Sequence, residues 1–480
     1  MSFCSKRVVG TPTHCFRFRS GLQAGGEASS FSIARRSPPI LFLFLLIVPT
    51  AWVLAAEPAG GSPLTLEAAV SLAVKDNPDL AEMQARSEAF AAIPSQVGTL
   101  PDPVLSFNAL NLPTDTFNVA QENMTQLQLG FSQVIPFPGK LGLKEEAAGF
   151  EAEAASDDVD ETRLRLLRDV KSSWWLLLYL DQAVQIIRTN QELLRQFVEI
   201  AQVKYEVGNG LQQDVLLAQL ELSKLLDQEL KLVGLRRSEA ARLNALLARP
   251  ADSPVALPLD IDRQLPDINV ESVLYRKAEA SSPLLARQRN TIQAARARRD
   301  LAKKEYYPDF KFGTLYGFRS GDNPLPRSGG RADFLSLKLS MSVPLFAYRK
   351  QAKAVDQRNS ELLQQNYALK DEWDRVRARI SSALADYERA REQSVLFNTG
   401  IIPQARQTVA SMLAGYQVNK VDFLNLVGSQ ITLYNYETRY WRVLSEANQA
   451  LARLIAAIGS EEIIGQKDIN SEKEIEEINE

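Results

Sequence analysis

Residues 335–348 (LSLKLSMSVPLFAY) alternate strictly, with Leu335, Leu337, Leu339, Met341 and Val343 on one side and Ser336, Lys338, Ser340 and Ser342 on the other. That is the two-residue period of a strand with one apolar face. A tilted strand of about nine to eleven residues crosses a bilayer if its apolar side meets lipid and its polar side a lumen. After Pro344 the period turns helical. The same switch occurs at 126–140 (QLQLGFSQVIPFPGK), where Leu127, Leu129 and Phe131 alternate with Gln126, Gln128, Gly130 and Ser132. Rougher alternations precede each of these segments, at 104–112 (VLSFNALNL) and 310–318 (FKFGTLYGF). The pattern predicts four strands in two antiparallel hairpins, at 104–112 with 125–135 and at 310–318 with 334–343, closed by polar loops.

Between and after the hairpins the period is helical. Val170, Leu177, Val184, Gln191, Val198 and Tyr205, interleaved with Ser173, Leu180, Ile187, Leu194 and Ala201, form a seam of seven-residue repeats, as in a coiled coil. Gly208-Asn209-Gly210 ends this helix and a returning helix follows, so 140–248 reads as a long helix hairpin. The second half repeats the first: Ser282-Pro283 stands where Asn77-Pro78 stood, and a second long helix pauses near Tyr416-Gln417-Val418-Asn419 before returning, giving a hairpin over 346–458. A tandem duplication accounts for this order, with a first repeat at 57–262 and a second at 263–460. Each long helix of about 66 residues would extend roughly 100 Å. The shorter flanking helices would match that length if stacked end to end, giving a helical tube below a sheet.

Composition narrows the chemistry. The run Ile40 to Val48 follows Arg35-Arg36 and precedes Val53-Leu54-Ala55-Ala56, the pattern of a secretory signal, so 1–56 reads as a signal peptide with an N-terminal extension. Both cysteines (Cys4, Cys15) and the single histidine (His14) lie in that part, which also carries six Lys/Arg and one Glu. Its removal shifts the formal charge from −3 to −8. The remaining chain has no thiol or imidazole for a disulfide, a Cys/His zinc site or a Ser-His pair, and no nucleophile with a base or phosphate loop, so neither an enzyme nor a resident cofactor or metal is expected. Its acidity argues against nucleic acid as a partner. The segment 461–480, with eight acids and two lysines, reads as an acidic flexible tail.

Four amphipathic strands cannot close a barrel, and open edges are not tolerated in lipid. Closure therefore requires further copies of the chain: two would supply eight strands and three would supply twelve. A periplasmic coiled-coil adaptor or structural protein would explain the hairpins of helices but not the four alternating segments between them. The order of these elements, with IPFPGKL at 135–141, IIPQAR at 401–406 and GYQVNKVDFLNL at 415–426, resembles the TolC family of outer-membrane efflux proteins, most closely its CzcC/CusC-like branch. The resemblance implies an α+β membrane protein: a trimeric twelve-stranded outer-membrane β-barrel, four strands per protomer, continuous with a periplasmic α-helical coiled-coil barrel. It also implies a homotrimer that conducts metal cations or drugs passively, docked to a periplasmic adaptor and an inner-membrane pump of the RND type. The chain departs from the family where Asn419 replaces a usual glycine and where the lipidated cysteine of some relatives is absent.

The family places the two helix turns at the periplasmic tip. Asp214 and Asp422, just past those turns, would then form rings of carboxylates on threefold repetition, with Tyr205, Tyr416 and Lys420 beside them as gate candidates. The plainer reading is that an acid early in a helix complements its dipole. Asn425 occupies the position equivalent to Asp214, so the ring is incomplete. Lys420, one turn away, is a candidate partner for either acid. Trp174, Trp175 and Trp441, at helical spacing, read as packing, and Lys311 and Lys338 belong on a lumen face if the strands are correctly placed.

Overall fold

The computed structural model describes residues 63–258 and 260–460; the expected signal peptide and acidic tail lie outside them. In chain order the elements are α1 (Leu66–Asp76), α2 (Pro78–Ala91), α3 (Ile93–Gly98), β1 (Val104–Leu110), β2 (Gln126–Ile135), α4 (Lys140–Glu206) and α5 (Gln212–Leu246). The second half repeats them as α6 (Glu271–Ser281), α7 (Pro283–Lys304), β3 (Phe310–Phe318), β4 (Phe334–Met341), α8 (Gln351–Leu396), a π-helical turn (Phe397–Ile401), α9 (Ile402–Gln417) and α10 (Phe423–Ile458). Among the described residues no helix is long and apolar enough to cross a membrane.

Several boundaries differ from the sequence reading for local reasons. β1 stops at Leu110 rather than 112 because Asn111 takes a left-handed conformation, φ 55°, and its carbonyl accepts from the Thr125 hydroxyl at 2.6 Å. The second helix hairpin starts at Gln351 rather than 346, since a turn in which Arg349 N–H and Lys350 N–H both donate to the Phe346 carbonyl (3.0 and 2.9 Å) comes first. α4 starts at Lys140 because Gly139 can occupy φ 88°, which reverses the chain after Pro138. The second long helix is not continuous. Pro403 has no N–H for the Thr399 carbonyl, and the helix widens into the π turn directly before it.

The short helices form two spliced columns beside the two long ones. Asn77 accepts from the Asp79 and Leu80 N–H groups (3.0 and 3.2 Å), capping α2, and its amide donates to the Leu246 carbonyl at the end of α5 (3.1 Å). One repeat later, the Ser281 hydroxyl donates to the Ile458 carbonyl at the end of α10 (2.9 Å). Each break before proline thus satisfies an orphan carbonyl of the returning helix. At the second splice Gly459, φ 84°, lets the chain pass so close to Ser281 that a Cβ would stand 2.4 Å from its carbonyl oxygen.

Three apolar cores follow one another along the columns. One centres on Leu274, Leu285, Ile380 and Leu454, a second on Trp174, Leu177, Leu243, Tyr387 and Leu444, and the third, at the tip, on Ile187, Leu194, Phe197, Tyr416 and Phe423. Trp174 and Trp175 meet edge to face at 5.2 Å, with the Trp174 N–H donating to the Leu64 carbonyl at 2.9 Å, so both serve packing. Of the eleven seam positions on α4, all are buried except Val198, half-buried, and Tyr205, exposed next to the turn.

Candidate functional site

β1 to β4 pair antiparallel in sequence order, leaving one edge of β1 and one of β4 without a partner strand among the described residues. The register puts Leu129, Tyr316 and Leu335 in one row, then Phe131, Thr314 and Leu337, then Gln133, Phe312 and Leu339, and finally Ile135, Phe310 and Met341. With Leu105 and Phe107 of β1 opposite Phe131 and Leu129, these rows form one face that is apolar except at Thr314 and Gln133. On the other face lie Ser106, Asn108, Gln128, Ser132, Ser336 and Ser340 together with Lys311 and Lys338. Both lysines therefore sit on the polar side. The contrast between faces is what a strand between lipid and water requires, and Leu337, 81% exposed in the single chain, has no protein neighbour to cover it.

The sheet meets the helices at a charged joint. Lys140, only 2% exposed, places its Nζ 2.9 Å from Asp309, 3.3 Å from Glu305 and 3.0 Å from the Tyr307 carbonyl. Asp309 also accepts from Phe137 N–H at 2.8 Å, and its backbone exchanges two 3.0 Å hydrogen bonds with Ser342. Phe137 stacks on Tyr307 at 4.4 Å. Three of the four crossings between sheet and helices thus converge on Asp309 and Lys140. Burial alone would raise the Asp309 carboxyl, but the hydrogen bonds from Phe137 and Lys140 outweigh it and hold the group below its usual range.

At the opposite end, the two helix turns are equivalent in backbone and different in side chains. Gly208 (φ 77°) and Asn419 (φ 59°) each take the left-handed position after the helix, where asparagine is the commonest substitute for glycine. The position filled by Lys204 in the first turn is Gly415 in the second, and that of Gly210 is Val421. A Cβ on Gly210 would stand 2.9 Å from that of Lys204, and one on Gly415 would stand 2.5 Å from Val421 Cγ2, so each turn pairs one large with one absent side chain. Lys204 reaches across to the other hairpin, donating to the Tyr416 carbonyl and the Asn419 side-chain oxygen, both at 2.6 Å, and lying 4.2 Å from the Tyr416 ring centroid. Tyr416 is 5% exposed, packs on Phe423 at 5.3 Å, and its hydroxyl has no hydrogen-bond partner among the described residues. Burial, and then the nearby Asp214 carboxylate, push that hydroxyl above its usual pKa. Asp214 itself is raised, first by burial and also by Asp422, while the Leu211 backbone and Lys204 pull it down. Higher up, buried Gln430 of α10 donates to Asn190 of α4 (2.6 Å) and Tyr434 to Gln228 of α5 (2.9 Å), so the two hairpins are tied at three levels.

The family model for outer membrane efflux proteins matches residues 69–249 and 274–460. The chain belongs to the outer membrane efflux protein family. Its two matched segments are the two halves of the duplication. Over 406 residues the chain is 22% identical to the cobalt-zinc-cadmium resistance protein CzcC of Cupriavidus metallidurans, covering 84% of this chain and 91% of that one. Over 182 residues it is 28% identical to nodulation protein T of Rhizobium leguminosarum bv. viciae, 38% of this chain and 36% of that relative, so it spans about a third of that protein's length. Its fold matches the MtrE outer membrane channel of Neisseria gonorrhoeae, solved in the open state, with a TM-score of 0.69 at 16% identity over 82% of this chain and 89% of that one. Membership of this family places the chain at the outer membrane.

Within this efflux protein the tip brings Asp214, Asp422 and Tyr416 together. Tyr205 lies apart and is half exposed. Asp214 stands three residues after Leu211, the first residue flanking α5, and bonds back to its backbone as a helix-capping acid does. Asp422 instead stands where Leu211 does, directly before α10, and makes no side-chain cap. Lys420 forms no ion pair with either acid among the described residues; its backbone instead closes the turn through the Gly415 carbonyl at 2.9 Å. The cation that bridges the two hairpins at the tip is Lys204, to which the sequence pattern assigns no role.

Proposed function

We propose that the chain is the outer-membrane conduit of a tripartite efflux system: three copies close a twelve-stranded barrel, and their helices form a periplasmic tunnel that docks to an adaptor and an RND-type inner-membrane pump. The observation that carries this reading is the single apolar face across all four strands, ending in two free edges and continuous with helices of tunnel length. Solution mass of the detergent-purified protein tests it: a homotrimer is expected, and a stable monomer or dimer defeats it.

The tip is the gate in this reading. Asp214 and Asp422 favour cations at the mouth, while Lys204 ties the two hairpins of one protomer in the closed position. Replacing both acids by asparagine is expected to raise single-channel conductance and sensitivity to large antibiotics. If neither changes in the double variant, the acids serve only the helix ends.

The cargo follows the pump. CzcC is by name a cobalt-zinc-cadmium resistance protein, and metal cations are the proposed cargo here, carried without a resident site. After residue 56 the chain has no Cys or His and only Met83, Met124, Met341 and Met412, none adjacent in sequence. Soft and borderline metals prefer thiolate, thioether or imidazole ligands. Loss of the gene should therefore lower metal tolerance, while calorimetry on the purified protein should show only weak binding, typical of an acidic surface. Stoichiometric submicromolar binding of copper, silver or zinc would defeat the passive reading.

A further inference from the structure

The crossings from sheet to helix differ in length. Ile135, Phe310 and Met341 share one row, yet residues 136–139 take the chain from Ile135 into α4, whereas 342–350 are needed from Met341 into α8. The short crossing turns inward, with Phe137 stacked on Tyr307 and Lys140 buried. The long one turns outward. Leu345, Phe346 and Tyr348 are 77%, 70% and 67% exposed, continuing the apolar row of Leu335, Leu337, Leu339, Met341 and Val343 past the end of the strand. Exposed Arg349 and Lys350 follow, the Arg349 guanidinium 5.4 Å from the Tyr348 ring centroid. The turn is held by its own backbone, with the Phe346 carbonyl accepting twice and the Ala347 carbonyl accepting from Ala352 N–H at 2.8 Å. No acid occurs in 342–355, and the first one after it, Asp356, is paired with Lys353 at 2.8 Å.

We propose that residues 345–350 are a lipid anchor: Leu345, Phe346 and Tyr348 enter the periplasmic leaflet of the outer membrane, and Arg349 and Lys350 bind the phosphates of anionic phospholipids there. This rests on the sheet being the membrane wall. Two observations favour lipid as the occupant. The segment follows directly on the lipid face, with exposed Val343 and Leu345 two and four residues after Met341, the last residue of β4. Aromatic side chains followed by basic ones, here without an ion pair among the described residues, are also the interfacial combination, apolar body in the acyl region and charge among phosphates. The crossing after β2, tied inward, has no such surface, so each copy of the chain carries one anchor despite its duplication.

The test uses the assembled full-length protein in nanodiscs of phosphatidylcholine mixed with phosphatidylglycerol, with retained lipid counted by mass spectrometry. Phosphatidylglycerol is expected to be enriched around the wild type. In the variant Arg349→Gln/Lys350→Gln that enrichment should fall about fivefold for each charge removed. An unenriched wild type, or a variant that keeps the wild-type enrichment, overturns the proposal. A photo-crosslinker at Phe346 gives an independent answer, since capture of lipid supports the anchor and capture of a neighbouring subunit overturns it. A wild type that conducts in planar bilayers but shows no lipid preference loses this inference and leaves the membrane wall intact.

Discussion

Replacing Glu305 by Gln and Asp309 by Asn together is expected to destabilise the protein by about 3–5 kcal/mol, more than Lys140→Met does, although all three changes break the same cluster. The asymmetry follows from who is buried. Lys140 has a side chain 3% exposed, and without its acids its ammonium has no water to return to. The carboxylates, 46% and 36% exposed, can rehydrate when the lysine is removed, so Lys140→Met should cost only about 2 kcal/mol. The triple variant, with no charge left, should recover most of the loss. Urea unfolding of the detergent-solubilised protein, followed by circular dichroism, ranks the four proteins. A Lys140→Met variant as damaged as the double acid variant would contradict the account. Acid supplies a check of sign: because the folded Asp309 carboxyl sits below its usual value, its contribution is complete above about pH 4. It is lost as the pH falls through the lowered pKa. The wild type should therefore weaken there more steeply than the triple variant.

Leu339→Arg should cost roughly 2–4 kcal/mol and prevent assembly of the outer-membrane form, while its neighbour Ser340→Arg should be accepted. Leu339 stands opposite Phe312 on the apolar face, so a guanidinium there would meet hydrocarbon. Ser340 stands opposite Lys311 on the polar face. An arginine at 340 meets a like charge across the strands, a penalty below about 1 kcal/mol in a water-filled lumen. Yield of the heat-modifiable form in membranes distinguishes the two. Equal yields would mean that the register, and with it the whole lipid face, is misplaced.

The strands were legible because lipid and water impose opposite chemistry on adjacent residues, so Leu335 to Val343 carry their environment in a two-residue window. The seam of α4 was legible for the same reason at a period of seven. Lys204 was not. Its acceptors lie 212 and 215 residues away, and one of them is a backbone carbonyl, which leaves no mark on composition. The splice between α5 and α2 was half legible: Asn77-Pro78 announced a break, but its acceptor, the Leu246 carbonyl, is 169 residues distant. Pro403 was visible within IIPQAR, yet the sequence reading carried a regular helix through it. Whether a missing donor bends a helix or widens it into a π turn depends on how neighbouring helices hold the next turns, and that is not local information.

The exchange of large and absent side chains between the two turns bears on ancestry. A half-length forebear, repeated around a ring, would have had identical turns at every position. In the present chain Lys204 needs the side-chain oxygen of Asn419, and the matching residue of its own half, Gly208, has no side chain to offer. Gly415 likewise cannot return the contact, having no amine. The halves have become lock and keeper: a ring of six first halves would keep the lysine and a backbone carbonyl but lose the side-chain acceptor that Asn419 supplies, and a ring of six second halves would lose the lysine itself.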